Sequence, residues 1–251
     1  MKKYSFLLFL AVFLFSCEPE NGKDNTLSIK FNINSGTSPL LYNTNYTVNG
    51  LTIQYTDVRF YISQPVFSSG AETIEFNDAY FLGDAASSNN TFVVGDLGKR
   101  TIDGIAFGYG VDPSRNTQAG SKAMPAYSYA LEHALSSANN MYWSWNPGYI
   151  WMKLEGRMDA NADLDFSDPG EIFSIHTGVD AAYRFVSRTY VFNMNDAPKT
   201  IQVDMDIDKF FDSYNLLGTP FAHPLDTNAS DYHSMLYVQD NSNLVFGDFY
   251  E

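Results

Sequence analysis

Four histidines are the side chains of this sequence best suited to hold a transition metal, because imidazole is a good ligand for copper and zinc. They are His133, His176, His223 and His233. No two of them show the His-x-His or His-x3-His spacing of a local site, so the fold must assemble any metal centre. Two imidazoles suffice for a linear or bent Cu(I) site. The alternative for each histidine is an ordinary surface or hydrogen-bonded role.

A second chemically active group is the aromatic run at residues 142–151, which contains Tyr142, Trp143, Trp145, Tyr149 and Trp151. Such rings can stack on sugars, cage a cation or relay an oxidising equivalent, and Trp143 and Trp145 are the candidates for an aromatic or redox site. The alternative is an ordinary core. Alternation places Tyr149 and Trp151 on one face of a strand whose other face is also apolar, which predicts a central strand.

An acidic run at residues 159–171 carries oxygen side chains at alternate positions, as a calcium loop does. The candidate calcium ligands are Asp159, Asn161, Asp163 and Asp165. Leu164 stands where an EF-hand requires glycine, and Glu171 comes one place late, so the EF-hand itself is not predicted. The two readings are a looser calcium site and a solvated acidic loop.

Motifs of common enzymes are missing from the sequence. It has no Gly-x-Ser-x-Gly elbow, no His-Glu-x-x-His and no phosphate-binding Gly-Lys-Ser/Thr loop. With 29 aspartates and glutamates, no carboxylate pair stands out as that of a glycosidase. We therefore predict a binding protein without catalytic residues.

The amino-terminal residues predict export. Lys2 and Lys3 precede an apolar run at residues 6–15 that is too short to span a bilayer, and Ser16 then leads into Cys17, the single cysteine. This pattern resembles a lipoprotein signal peptide at residues 1–16, with Cys17 as the lipidation site. Residues 17–26 are mostly polar and predict a flexible tether. We expect a lipid-anchored protein of the cell envelope, on the periplasmic face or outer surface of the outer membrane.

The charge of the exported chain excludes most nucleic-acid partners. Cleavage before Cys17 leaves 13 basic against 29 acidic side chains. Binding a polyanion depends on lysine and arginine, so we expect no nucleic acid.

Strands dominate the rest of the chain, and they predict one domain over residues 27–251. Apolar residues alternate at residues 27–33, 51–62, 105–111 and 201–207, with a change of parity at Thr56-Asp57 that predicts a bulge. Residues 235–239 and 244–249 are predicted as a closing strand pair. Short helices are expected at residues 127–137 and 208–214. These elements predict an all-β, mostly antiparallel fold, either a β-sandwich or an open barrel, with one or two short helices.

Four segments resemble the MbnP-like domain family of periplasmic or surface proteins. The most specific is MYWSWNPGYIWMKLEG at residues 141–156, accompanied by VRFYIS at 58–63, GVDPSRN at 110–116 and IHTG at 175–178. The resemblance implies a sandwich-like domain and copper binding through histidines. It ranks His176 first, because this residue lies within a matched segment, followed by His133 and then His233.

In copper-binding members of this family, the imidazoles act together with a ligand derived from an oxidised tryptophan, which a partner di-haem protein makes. The resemblance therefore implies a di-haem peroxidase-like partner. In copper-binding relatives a tryptophan can lie two residues before a ligand histidine, but the corresponding positions here are Leu131, Ser174, Phe221 and Asp231, so the resemblance does not fix the modified residue. We expect Trp143 or Trp145, in the matched segment, to lie near the metal. The runner-up hypothesis is a surface module that binds glycan or protein through its aromatic cluster, without copper and with calcium stiffening the acidic loop.

Overall fold

The computed structural model describes residues 24–116, 128–143, 148–223 and 230–251. The expected signal peptide at residues 1–16, the lipidation site Cys17 and Trp145 lie outside the described residues. The first strand, β1 (Thr26–Ser35), begins one residue before the predicted start at Leu27. Its alternating apolar residues, among them Ile29 and Phe31, are buried as the period-two pattern predicts.

The smaller of two sheets is built around β1 and β12 (Lys199–Asp206), which pair in parallel although they come from opposite ends of the chain. The other edge of β12 pairs with β14 (Phe246–Tyr250). The other edge of β1 pairs with β7 (Thr91–Asp96) along its first half and with β2 (Ser38–Pro39) at its end.

The larger sheet is organised by the long strand β4 (Leu51–Ser69). Its antiparallel partners are β3 (Tyr46–Val48), β5 (Glu72–Glu75), β6 (Tyr80–Asp84), β8 (Arg100–Tyr109) and β9 (Met152–Met158). Beyond β8 lies β11 (Arg184–Met194), and beyond β9 lie β10 (Ile172–Thr177) and β13 (Phe221–Ala222). β13 runs parallel to β10.

A β-bulge interrupts β4 where the sequence predicts one. Tyr55 pairs with Gly156 and Asp57 pairs with Glu155, so Thr56 has no opposite residue on β9. The extra residue lets both Tyr55 and Val58 point into the core, because it reverses the parity of the alternation. The change of parity read from the sequence is thus confirmed as a bulge within one strand.

The two sheets pack face to face around an aromatic core. Phe31 of β1 lies 6.2 Å from Phe60 of β4, 6.2 Å from Phe107 of β8 and 6.3 Å from Phe246 of β14, measured between ring centroids. The predicted all-β fold is confirmed, and of its two architectures the chain adopts the sandwich.

The carboxyl-terminal region differs from the prediction. Residues 235–239 lie in a helix, α1 (Ser230–Asp240), and not in a strand. Its buried residues are Met235, Val238 and Gln239, whose spacing of three and four follows the helical period. The prediction failed because a short apolar run fits both the helical period and the period of two of a strand. A second helix, α2 (Ser242–Val245), leads into β14, so only the later part of the predicted closing pair is a strand.

The helix predicted at residues 127–137 is also wrong. Residues 128–136 form turns, followed by a 3-10 helix at Ser137–Asn139, and further 3-10 helices occupy Asp180–Ala182 and Ile207–Phe211. The last of these confirms helical structure near residues 208–214, where the Asp206 side chain accepts a hydrogen bond from the Asp208 amide.

Candidate metal centre

His176 lies on the outer face of the larger sheet. In β10, Phe173, Ile175 and Thr177 are buried between the sheets, so the alternate residues Ser174 and His176 point outward. On the neighbouring strand β9, Lys153 lies directly opposite His176, and Glu155 lies opposite Ser174. These four side chains therefore share one small patch of sheet surface.

His223 joins this patch from the end of β13. Ser174 pairs with Phe221 in the parallel register, and the Ser174 amide donates to the Pro220 carbonyl oxygen at 2.8 Å. This pairing brings the rings of His176 and His223 to 4.8 Å between centroids, almost perpendicular to each other at 89°. The Ser174 hydroxyl lies 3.2 Å from Nε2 of His176 and 3.4 Å from Nε2 of His223. Two imidazole nitrogens thus converge on one hydroxyl group.

Trp143 lies beside the imidazole pair. Its amide donates to the Gly148 carbonyl oxygen at 2.8 Å, next to the bridge between Tyr142 and Tyr149. Its indole lies 6.2 Å from the His176 ring. The residue after Thr177 is Gly178, and a methyl group added there would come within 2.7 Å of Trp143 Cζ3. Glycine at this position is therefore what lets the indole approach the strand so closely.

A chain of charged groups runs from His176 across the sheet. Glu155 Oε1 lies 2.8 Å from His176 Nε2 and 3.2 Å from Lys153 Nζ. Lys153 Nζ lies in turn 2.9 Å from Asp57 Oδ2, and Arg59 Nε donates to Asp57 Oδ1 at 2.7 Å. The carboxylate next to His176 is therefore fixed by a lysine that is itself held by a second carboxylate.

The electrostatics of the patch favour a neutral imidazole at His223 and an ionised Glu155. Burial, with a smaller contribution from the charge of His176, lowers the pKa of His223. The hydrogen bond with His176 lowers the pKa of Glu155 and outweighs the effect of its partial burial. A neutral imidazole has a lone pair to donate to a metal ion, so His223 fits a copper ligand as it stands. His176 Nε2 donates to the ionised Glu155, and it fits a second ligand once that proton is transferred to Nδ1 or released.

The other predicted histidines occupy different places. His133 lies in the turns before Ser137–Asn139, stacks on Tyr129 at 4.2 Å and accepts the Leu135 amide hydrogen bond on Nδ1. His233 is exposed on α1 and meets Tyr232 edge to face. Among the described residues, neither of them hydrogen-bonds or stacks with His176 or His223.

The aromatic run divides between the site and the core. Trp151 and Tyr149 are fully buried, and Trp151 meets Tyr183 edge to face at 5.8 Å. The strand that follows, β9, lies between β4 and β10, so the predicted central strand is confirmed for residues 152–158, whereas Tyr149 and Trp151 lie just before it. Of the predicted aromatic site residues that the structure describes, Trp143 alone lies at the imidazole pair.

The acidic loop at residues 159–171 turns its side-chain oxygens onto its own backbone. Asp159 accepts hydrogen bonds from the amides of Asp163 and Leu164, at 3.0 and 3.2 Å, and Asn161 and Asp165 accept similar bonds from residues two positions later. Within the described ranges, no group of three or more His, Cys, Asp or Glu side chains is arranged to hold a metal ion. The calcium site stays a prediction.

His223 and Glu155, the two other side chains of the patch that could bind a metal ion, were not among the predicted site residues. His223 follows a strand of only two residues, which is too short to show a period-two pattern, so no local signal marks it. Glu155 did have a signal, because it follows Lys153 at an interval of two in a strand and its side chain therefore points to the same face.

None of the helices in the described part of the chain has both the length and the apolar character needed to cross a membrane.

Comparison with known proteins gives one family and one solved structure. The sequence model of the MbnP family matches residues 24–231. No curated protein sequence matches the chain significantly. Among solved structures, MbnP from Methylosinus trichosporium superposes with a TM-score of 0.52 at 15% sequence identity, covering 74% of this chain and 77% of that chain. At this level of identity, the structural likeness concerns the fold.

Proposed function

The chain belongs to the MbnP family, and on that premise we propose that it is an exported, lipid-anchored protein that binds copper between His176 and His223, beside Trp143. The observation that carries the proposal is the convergence of two imidazole Nε2 atoms on the Ser174 hydroxyl, at 3.2 and 3.4 Å. Copper binding is also what the resemblance of the sequence to this family implies.

The donor set suits Cu(I) because two neutral nitrogen ligands satisfy an ion that accepts low coordination numbers. The two rings are almost perpendicular, and the small side chain of Ser174 places its hydroxyl within 3.4 Å of both Nε2 atoms. We propose His223 as the second histidine ligand, in preference to His133 and His233, the further candidates from the sequence.

Trp143 is the tryptophan that we assign to the redox part of the site. Its indole lies 6.2 Å from the His176 ring, whereas Trp151 is buried in the core. The family resemblance implies an oxidised tryptophan as an additional ligand, made by a di-haem peroxidase-like partner. In this proposal the partner oxidises Trp143, and the protein itself binds or carries copper and is not an enzyme.

The place of action follows from the amino-terminal segment. Acylation of Cys17 would hold the protein on a membrane, since burial of each methylene contributes about 0.8 kcal/mol. The nine residues from Cys17 to Asn25 precede β1, and an extended tether of this length reaches about 30 Å. We therefore place the domain close to the outer membrane, on its periplasmic face or on the cell surface.

The test is the metal content of the protein isolated from its native envelope without chelator, together with its intact mass. We expect about one copper ion for each chain, lost in His176→Ala and in His223→Ala and retained in His233→Ala, whose side chain is exposed on α1. A mass increase matching conversion of tryptophan to kynurenine, mapped to Trp143, would support the assignment of the oxidised ligand.

Absence of copper would contradict the proposal. A protein of unmodified mass that contains no copper and takes up none when Cu(I) is supplied would contradict the copper proposal. The surface interaction module would then be the better hypothesis, and its glycan or protein binding should be lost in Trp143→Ala and unaffected by the histidine variants.

A further inference from the structure

Glu155 is the carboxylate that faces the imidazole pair from the adjacent strand. Its Oε1 atom lies 2.8 Å from His176 Nε2, and its backbone lies directly opposite Ser174 in the β9–β10 register. Neighbouring distances in the same patch are 3.2 Å from His176 Nε2 to Ser174 Oγ and 3.4 Å from that oxygen to His223 Nε2. A carboxylate, a hydroxyl and two imidazoles therefore lie next to one another on one sheet surface.

We propose that Glu155 is a third protein ligand of this site, which enables the imidazole pair to bind a divalent ion, Zn²⁺ or Cu²⁺, as well as Cu⁺. The inference rests on the proposed copper site and extends it to the oxidation state and class of the metal. Two histidines and one carboxylate form a ligand set that proteins use for Zn²⁺ with a fourth position left to water.

The spacing of the donors agrees with shared coordination. Two ligands bonded to one tetrahedral ion at about 2.0–2.1 Å are about 3.3 Å apart. Glu155 Oε1 and His176 Nε2 are 2.8 Å apart, within about half an ångström of this value, and both imidazole Nε2 atoms lie within 3.4 Å of the Ser174 hydroxyl. Among the described residues, Glu155 hydrogen-bonds His176, but the three side chains are not arranged as a metal site. To bind the ion, the carboxylate must therefore exchange its hydrogen bond with His176 for a bond to the metal.

The charges around Glu155 explain why the carboxylate matters more for a divalent ion. Two neutral imidazoles leave the full charge of the metal uncompensated, and the attraction of a carboxylate doubles when the ion carries two charges. Lys153, at 3.2 Å from Glu155, would oppose a cation, but Asp57 pairs with this lysine at 2.9 Å. Asp57 also pairs with Arg59, so it offsets part of the lysine charge, and Glu155 is the carboxylate of this network that faces the imidazole pair.

A purely positioning role for Glu155 makes a different prediction. If the carboxylate only orients the His176 ring, its loss should weaken Cu⁺ and Zn²⁺ by similar factors, because both ions use that ring. If it is a ligand, its loss should lower the affinity for Zn²⁺ and Cu²⁺ far more than the affinity for Cu⁺, because two imidazoles are enough to bind Cu⁺. The ratio of the two effects separates these roles.

The experiment uses the full chain, stripped of metal, in three forms: wild type, Glu155→Gln, and Glu72→Gln as a control that removes an equal charge from the exposed strand β5. Zn²⁺ and Cu²⁺ binding is measured by titration calorimetry, and Cu⁺ binding by anaerobic competition with a chelating dye. We expect Glu155→Gln to weaken binding of the divalent ions by about 100-fold or more, beyond the roughly 10- to 100-fold that loss of a merely orienting group costs, and binding of Cu⁺ by less than about 10-fold. Glu72→Gln should bind all three ions as wild type does.

Three outcomes would overturn the inference while leaving the copper proposal in place: equal losses for both ions, no change in Glu155→Gln, or a wild type that binds Cu⁺ but no divalent ion. A wild type that binds none of the three ions contradicts the copper proposal itself. Thermal unfolding of the metal-free variants checks that they fold. Glu155→Asp, which keeps the charge but withdraws it by one methylene, provides a second variant that should also lose Zn²⁺ affinity.

Discussion

Asp208 is a carboxylate that the fold holds against two hydroxyl groups between the sheets and the 3-10 helix at Ile207–Phe211. The Tyr55 hydroxyl donates to it at 2.7 Å, and Ser35 Oγ lies 2.7 Å from its other oxygen. Burial nevertheless raises the pKa of Asp208 above its ordinary value of 3.8, and the neighbouring Asp206 adds to this effect. The hydroxyl groups offset only part of the cost of burying the charge.

This raised pKa gives a prediction about pH. Between pH 3.8 and the higher pKa of the folded state, the folded protein binds more protons than the unfolded chain, so the contribution of Asp208 to stability falls as pH rises. In urea denaturation at a series of pH values, the free energy of unfolding of wild type should therefore decline relative to that of Asp208→Asn across this window and run parallel to it above. A difference that grows with pH, or does not change, would contradict the prediction.

At the scale of the element, the bulge in β4 decides which side chains face the core. Because Thr56 is the extra residue, deleting it leaves Tyr55 and Val58 pointing inward and Asp57 outward. We predict that the Thr56 deletion folds with only a modest loss of stability. Deleting Arg59 in the regular part of the strand should prevent folding, because a slip of one residue turns the buried set to solvent.

Soluble expression and circular dichroism would show whether each of the two deletion variants folds. Arg59→Ala is the control, since it removes the same side chain without changing the register, and it should fold. A soluble, folded Arg59 deletion, or a Thr56 deletion that fails to fold, would show that the bulge does not set the register of β4.

Elements with long, regular alternation were the ones that the sequence could predict. β1, β8 and β12 follow their period-two patterns, and even the bulge at Thr56 left a trace in the parity of apolar residues. The short apolar run that became α1 fits two periods, so only packing decides between them. Residues 128–136 have helix-forming alanine and leucine but fold as turns, an example of tertiary context overriding propensity.

The candidate site was half predictable for a related reason. His176 and Trp143 lie in segments with clear patterns, and the structure brings them together. His223 reaches them through the parallel pairing of β10 with the two-residue strand β13, a contact between segments far apart in the chain. Such a contact leaves no signal in the local sequence, so the second imidazole could be found only from the fold.

At the scale of the whole molecule, Phe246 ties the two sheets together. It begins β14 in the smaller sheet, and its ring lies 5.0 Å from Phe107 and 5.7 Å from Tyr109 of the larger sheet. We predict that Phe246→Ala lowers the free energy of unfolding by about 3–5 kcal/mol, because it opens a cavity among rings that cannot close around it.

Chemical denaturation would measure the effect. Leu244→Ala is the matched control, since Leu244 lies two residues earlier and is 52% exposed, and it should change stability by no more than about 0.5 kcal/mol. A loss as small in Phe246→Ala as in the control would mean that β14 is not part of the cooperative core.

The arrangement of β1, β12 and β14 also determines where the polypeptide enters and leaves the sandwich. Leu27 pairs with Lys199 and Tyr250 pairs with Gln202, so the first and last strands flank the same end of β12. Two strand spacings, about 10 Å, and an offset of three residues along β12, also about 10 Å, separate Leu27 from Tyr250, which makes the gap about 14 Å. A linker of about four residues could span this gap. The topology is therefore suited to circular permutation. New termini could be placed in an exposed turn, such as the one after Ser69. They would move an anchor or a fusion partner to a different side of the domain without changing the order of the strands in either sheet.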